Sequence, residues 1–379
     1  MATSPAIEAP RGTSPVAAPS PAPPADLPRG APRGERPSRS PGPRATLITE
    51  ISALEQVFAS TPRSSPGRVT LARRLAEAYV ELEGASSTDK RSAELERDSL
   101  RSRSAEAAAL KQAQASRSEQ VALAARGKAI KYYTLIKDEY PDYAQLDEVL
   151  YYLAYEHEQA NDHAEARKVY MELKAKRPLS RYIPDVYLAF GERWFEEAQG
   201  DPSKMDLAAQ AYEQVLGFPP PGNKVYGYAC YKLAFIHWNK GEHEKALAAF
   251  KKTIDFGIQF AELPGAASLA SAARRDIVPV YALKGDPARA YAFFRPLSGD
   301  PPSSNQRTFK MMDDLGQSYW DAARYPEALT VYRDLAARDS AGVCAHGVRV
   351  DLTSSAIKTG SAPSGADLAR ALGACPPRP

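Results

Sequence analysis

Residues 228–252 read YACYKLAFIHWNKGEHEKALAAFKK. Within this stretch Ala234 is followed twelve positions later by Ala246, and four positions after that by Phe250. Two antiparallel helices approach closely only where a small side chain from each faces the other. An aromatic ring one turn later fills the wedge where they splay. Gly241 stands between the two segments, where a glycine ends a helix without steric penalty. The stretch therefore predicts a helix, a short turn and a second helix.

The same spacing returns four times. Ala154, Ala166 and Tyr170 form one set; Val278, Ala290 and Phe294 another; Gly316, Ala328 and Tyr332 a third. Gly191, Ala208 and Tyr212 form the last, with five extra residues in the turn. Apolar companions surround each anchor: Leu150, Leu153 and Leu173 in the Ala154 set, and Met312, Leu315, Tyr319 and Leu335 in the Gly316 set. The first members of the sets lie 37 to 44 residues apart. This pattern resembles the tetratricopeptide repeat (TPR), with its period of about 34 lengthened by longer loops. The resemblance implies an all-α fold, a right-handed superhelix of six or seven antiparallel helix pairs.

Outside the repeats the composition changes. Twelve of the 32 prolines fall in residues 1–44, together with six arginines, and the only larger aliphatics there are Ile7, Val16 and Leu27. Such a segment cannot bury enough apolar surface to offset the entropy of ordering, so a disordered tail is expected over residues 1–44. A solenoid is expected over residues 45–379. Leu47, Ile51, Leu54 and Phe58 set its first helical stripe, two prolines break it within 61–67, and Val69–Leu82 starts the next helix. Its partner signature, Ala129, Tyr133 and Ile136, lies far downstream. No Pro or Gly occurs between Ala85 and Arg126, which predicts an inserted helix at 88–126. Run on to Lys137 it forms one helix of about 50 residues, on the order of 75 Å, with a fold-back near Ser116 as a variant. From residue 341 onward a degenerate repeat is expected to cap the stack. It holds one helix carrying Val343, Val348, Val350, Leu352 and Ile357, and a short last one at Ala366–Leu372.

The chain is 44% hydrophobic and 25% charged with a formal net charge of +3. That charge argues against nucleic acid as a partner. No apolar run approaches the roughly 18 residues of a membrane span, and the start shows no apolar core of a signal peptide. His157 and His163 repeat as His237 and His243, a six-residue spacing that reflects repeat register rather than the three or four of helical metal ligands. No phosphate-binding glycine loop, nucleophile elbow or paired-carboxylate motif is present. The chain is accordingly expected to be no enzyme and to carry no cofactor and no metal. Cys230 falls at a buried helix position. Cys344 and Cys375 are the only plausible disulfide partners, and two reduced thiols remain the equal alternative.

The expected function is protein–protein interaction. In a TPR superhelix the first helices of each pair line the concave face. In register, the inward positions are Tyr151, Tyr155, Tyr228, Tyr231, Phe235, Trp238 and Trp320. Rigid aromatic faces anchor peptides at low entropic cost, which makes these seven the candidate groove for a peptide or protein partner. The alternative is a structural component that binds through convex or edge surfaces. The phrases SSPGRVTLARRLAEAYVELE (64–83), GKAIKYYTLIKDEYPDYAQLDEVLYYLAYEHEQ (127–159) and ARRDIVPVYALKGDPARAYAFF (273–294) resemble TPR proteins of the myxobacterial cell envelope, including those of adventurous gliding motility. That resemblance implies a periplasmic or envelope setting. A cytoplasmic one follows if the visible N-terminus is the true one.

Overall fold

The computed structural model describes residues 44–361 and 364–375. The expected disordered tail lies outside the described residues except for Arg44, which opens the first helix. All regular structure among the described residues is helical. Each helix packs mainly on its neighbours in sequence, so the core is built pair by pair.

Helices pair at most of the expected anchors. Helices α4 (Leu146–Gln159) and α5 (His163–Lys176) pair, as do α6 (Ile183–Glu197) with α7 (Lys204–Leu216), and α8 (Tyr226–Asn239) with α9 (His243–Gln259). Further along, α10 (Ala266–Lys284) is followed by the short α11 (Ala290–Phe294), and α12 (Gln306–Asp321) pairs with α13 (Tyr325–Arg338). A Cβ added to Gly191 would lie 2.7 Å from a ring carbon of Tyr212, and one added to Gly316 2.5 Å from Tyr332. The small residue and the aromatic of one set are therefore in direct contact.

Three of the turns share one backbone closure. Asp162 N–H donates to the His157 carbonyl (2.9 Å), Glu242 N–H to His237 (2.8 Å) and Arg324 N–H to Tyr319 (2.8 Å). The residue before each donor is left-handed: Asn161 (φ 59°), Gly241 (φ 74°) and Ala323 (φ 56°). Each stands seven positions after its small anchor. This six-to-one closure satisfies carbonyls that the helix end would leave unpaired.

The long insertion differs from its expectation. There is no single 50-residue helix and no fold-back at Ser116. Instead α2 (Arg68–Leu100) runs on past Leu82, the chain reverses over residues 101–104, and α3 (Ala105–Glu139) returns. Ser104 caps α3, its hydroxyl accepting from Ala107 N–H at 3.2 Å. Small side chains line the contact: Ser86 and Ala93 on α2, and Ala108, Ala115, Ser118 and Ala122 on α3 are all buried. Ion pairs Lys90–Glu119 (2.6 Å) and Lys111–Glu96 (2.5 Å) bridge the two helices above that stripe. The insertion has lengthened both arms of one helix pair. Ala76, Ala129 and Tyr133 are thereby brought to its base as a set in the same register.

Two other expectations are corrected in detail. After Val278 the second helix shrinks to a 3₁₀ turn at Pro287–Arg289 and the five residues of α11. Pro287 and Pro296 flank it, and proline at 296 disfavours helix at the residue before it. Ala290 and Phe294 stay fully buried in register. At the C-terminal end α14 (Val343–Thr359) and α15 (Gly365–Gly373) form as expected. The buried residues of α14, however, are His346, Thr353 and Ala356, while Val343 and Ile357 are exposed. Cys344 and Cys375 are disulfide-bonded, with Cα atoms 5.8 Å apart, tying the start of α14 to the chain after α15.

The core forms two apolar clusters. One runs from Leu47 to Ala189, the other from Leu188 to Leu335, and Tyr187 packs against both. The helix α1 (Arg44–Ser60) enters the first through Leu47, Ile51 and Phe58.

Two predictions follow from this packing. Gly316→Ala should destabilise by roughly 1–3 kcal/mol, because the fully packed Tyr332 ring cannot yield. In a Tyr332→Leu background the added cost should shrink; an equal cost in both, by urea unfolding, would place the strain elsewhere. The second concerns alkali. Burial lifts the phenols of Tyr132, Tyr281 and Tyr332 to about 12, whereas an unfolded phenol titrates near 10. Their contribution to stability is complete below about pH 10 and disappears as pH rises through about 12. The urea midpoint should therefore be lower at pH 11 than at pH 9, and an unchanged midpoint would contradict the burial.

Candidate binding cleft

The seven rings singled out in the sequence do not form one surface. Tyr151, Tyr228, Tyr231 and Phe235 are 2%, 4%, 0% and 1% exposed. This corrects their assignment to an open groove: the neighbouring helices cover them. Tyr151 stacks on Tyr182 at 4.5 Å between ring centroids, and its hydroxyl reaches Asp185 at 3.5 Å. The Tyr228 hydroxyl donates to Glu192 at 3.2 Å and that of Tyr231 to Asp276 at 2.5 Å. Phe235 meets Tyr231 and Phe250 edge-on at 5.0 and 5.3 Å. Tyr155, Trp238 and Trp320 are half-buried. Trp238 leans on Phe235 and Phe250, and Trp320 on Tyr325.

The first histidine of each repeated pair has a structural partner. His157 Nδ1 lies 3.2 Å from Asp162, and His237 Nδ1 lies 2.7 Å from Glu242. Each spans its own turn, from the last turn of the first helix to the residue before the second. His237, then Lys245, hold the Glu242 carboxyl below the usual range. Among the described residues no three His, Cys, Asp or Glu side chains gather as metal ligands.

A cleft of about 520 Å³ lies among α4, α5, α6 and α8, lined by Glu158, His163, Glu192, Arg193 and Lys232. Its polar groups are largely committed to one another. Glu192 accepts from the hydroxyls of Tyr212 and Tyr228 and pairs with Lys232 at 3.2 Å. The Lys232 ammonium also sits 4.0 Å above the centre of the Phe195 ring. This network joins α6, α7 and α8.

A second cleft, of about 1320 Å³, opens between α9, α10 and α12. Its floor follows from the run AASLASAARR at 266–275. A Cβ on Gly257 of α9 would lie 2.4 Å from the Ala270 Cβ and 2.5 Å from the Ala266 carbonyl. The two helices therefore nearly touch, and Gly257, Ala267, Ala270 and Ser271 line the cleft there, leaving a shallow floor close to the backbone. Met311 and Ser318 of α12 form the facing wall. Pro279 closes one end; lacking an N–H, it leaves the Arg275 carbonyl without its helical donor.

The rim is charged. Arg275 pairs with Asp276 at 2.9 Å and Lys310 with Asp314 at 3.2 Å. Arg274 Nε donates to the Leu297 carbonyl at 2.7 Å, and Arg307 Nη1 donates to the Gly299 carbonyl at 2.9 Å. Burial, and then the charge of Arg307, hold the Arg274 guanidinium below its usual range. Among the described residues no aromatic side chain lines this cleft, and its signal in the sequence is a run of small residues ending in two arginines.

No family model matches the chain, and no curated protein matches it.

Gly299 carries the loop at φ +68°. A Cβ there would lie 2.9 Å from Arg274 Nη2. Gly299→Ala should therefore cost about 1–2 kcal/mol through the left-handed backbone alone and should push the Arg274 guanidinium away. A calorimetric melt unchanged from wild type would show that the loop does not hold this conformation.

Proposed function

We propose that the chain is a non-enzymatic protein-interaction scaffold of tetratricopeptide type, its helix pairs stacking as a right-handed superhelix. The partner surface in this reading is the cleft between α10 and α12, not the aromatic positions. The observation that carries it is the form of that cleft. It is an open trough of about 1320 Å³ between successive units, floored by small residues and rimmed by charge. A floor without side-chain bulk lets an extended segment approach the helix backbones, and a charged rim offers orientation. The recurring small–Ala–aromatic register supports the repeat type. The phrase-level resemblance to myxobacterial envelope proteins supports an envelope or motility complex as the setting.

Filling the trough tests the reading. Ala267 and Ser271 are exposed and one helical turn apart, so Ala267→Trp with Ser271→Trp should block the floor without touching the core. In a quantitative pull-down the double variant should lose at least tenfold in recovery of some partners, equivalent to about 1.4 kcal/mol. Its melting temperature should match wild type. Retention of every partner would move the binding surface to the edges of the stack and favour a purely structural component.

A further inference from the structure

Two guanidiniums of the cleft converge on one loop. Arg274 comes from the middle of α10 and Arg307 from the first turn of α12. Each fastens a backbone carbonyl of the segment 297–299, as described above. The position a Gly299 Cβ would take is 2.9 Å from Arg274 Nη2 and 3.5 Å from Arg307 Nη1. The two like charges are therefore neighbours beside the same glycine.

Among the described residues neither arginine makes an ion pair. The Asp300 carboxylate is engaged with the start of α12. Its Oδ1 accepts from Arg307 N–H (3.0 Å), and its Oδ2 accepts from Thr308 N–H and the Thr308 hydroxyl, both at 2.8 Å. Although burial raises its pKa, these donors hold the Asp300 carboxyl below the usual range. It attracts Arg274 from a distance without bonding it. The other rim charges cancel in pairs, Arg275 with Asp276 and Lys310 with Asp314. The trough thus carries four basic and two acidic side chains. Its uncompensated charge sits on Arg274 and Arg307. A guanidinium has five N–H donors in a rigid fork, and each of these two uses one on a carbonyl among the described residues. The remaining donors match a planar carboxylate.

We infer that the cleft recognises extended segments of a protein partner that carry an Asp or Glu side chain, whose carboxylate bridges Arg274 and Arg307 beside Gly299. This rests on the scaffold reading and names the partner's chemistry within it. The bound carboxylate relieves the repulsion between the guanidiniums, and the small-residue floor receives the flanking peptide backbone. The size of the trough fits a chain segment rather than a lone ion. A formal net charge of +3 provides no wider basic field for a polyanion.

The test uses the full chain and an array of random synthetic dodecapeptides, with affinities of the best binders measured by fluorescence anisotropy. Binders should be enriched in Asp and Glu. Replacing the critical acid by its amide should weaken binding at least tenfold, and raising ionic strength should erode the same difference. With Arg274→Gln plus Arg307→Gln, the acidic and amide peptides should bind equally. Should that double variant fail to fold, Arg307→Gln alone, at an exposed position, should shrink the difference. In wild type, an acidic peptide carrying a photocrosslinker should attach within residues 266–318. Equal binding of acid and amide peptides to wild type overturns the inference and leaves the scaffold reading standing. So does binding that requires a phosphorylated residue, or crosslinking elsewhere. Absence of any peptide binder, with no effect of the trough-filling variant on partner recovery, overturns both.

Discussion

The structure depends on one recurring contact: a small residue on the first helix of a pair against an aromatic ring on the second. At Gly191 and Gly316 even a methyl group would collide with the ring of Tyr212 or Tyr332. That contact sets how closely the helices approach, and the approach sets the register of everything beside it. In three of the pairs the turn closes with the same hydrogen bond, around a left-handed residue seven positions after the small anchor. Ala323 accepts a left-handed conformation there that glycine would adopt without penalty. The closure therefore outweighs the local steric cost.

The rings also explain how neighbouring pairs are joined. Most buried tyrosines in the stack direct a hydroxyl to a carboxylate on another helix: Tyr79 to Glu55, Tyr170 to Glu158, Tyr228 to Glu192 and Tyr231 to Asp276. A buried hydroxyl without a partner is costly, so each of these four rings fixes the helix bearing its acceptor. Here lies the reason Tyr151, Tyr228 and Tyr231 are unavailable as a groove. Tyr231 belongs to α8, yet its acceptor Asp276 stands on α10, two helices on. The ring bridges units and so is covered by the next.

Much of the fold was legible because the repeat is written in residues whose size alone decides their place. Ala154, Ala234, Ala246 and Ala328 are buried where the spacing puts them. Legibility failed where the signal was the absence of a breaker. The reversal over residues 101–104 contains neither Pro nor Gly, and its only mark is Ser104 as a cap among many serines. A continuous helix and a hairpin share the same composition there; the packing of small residues on α2 against small residues on α3 decides for the hairpin, and that is a pairing between distant residues. The site was hidden for a related reason. Periodicity shows that Tyr151 or Phe235 lies on one face of a helix, but not how far the following unit overlaps that face. The Arg274–Arg307 cleft was harder still, since the two arginines are 33 residues apart and meet only through the loop at Gly299.

The division of the core into two clusters places particular weight on α6. Leu188 belongs to one cluster, Ala189 to the other, and Tyr187 touches both. Contacts elsewhere are chiefly between sequence neighbours, so each cluster can form from local segments with little loop entropy to overcome. What couples them is short: one helical turn of apolar residues, followed by Glu192 with its tyrosines and Lys232. That polar junction is mutually satisfied, and Lys232 within it is only 5% exposed. Apolar surfaces slide past one another at small cost, whereas a charged group held by three donors has one arrangement that satisfies it. The small–aromatic contacts thus hold the helices of each pair together, and the Glu192 network fixes how the second cluster is set on the first.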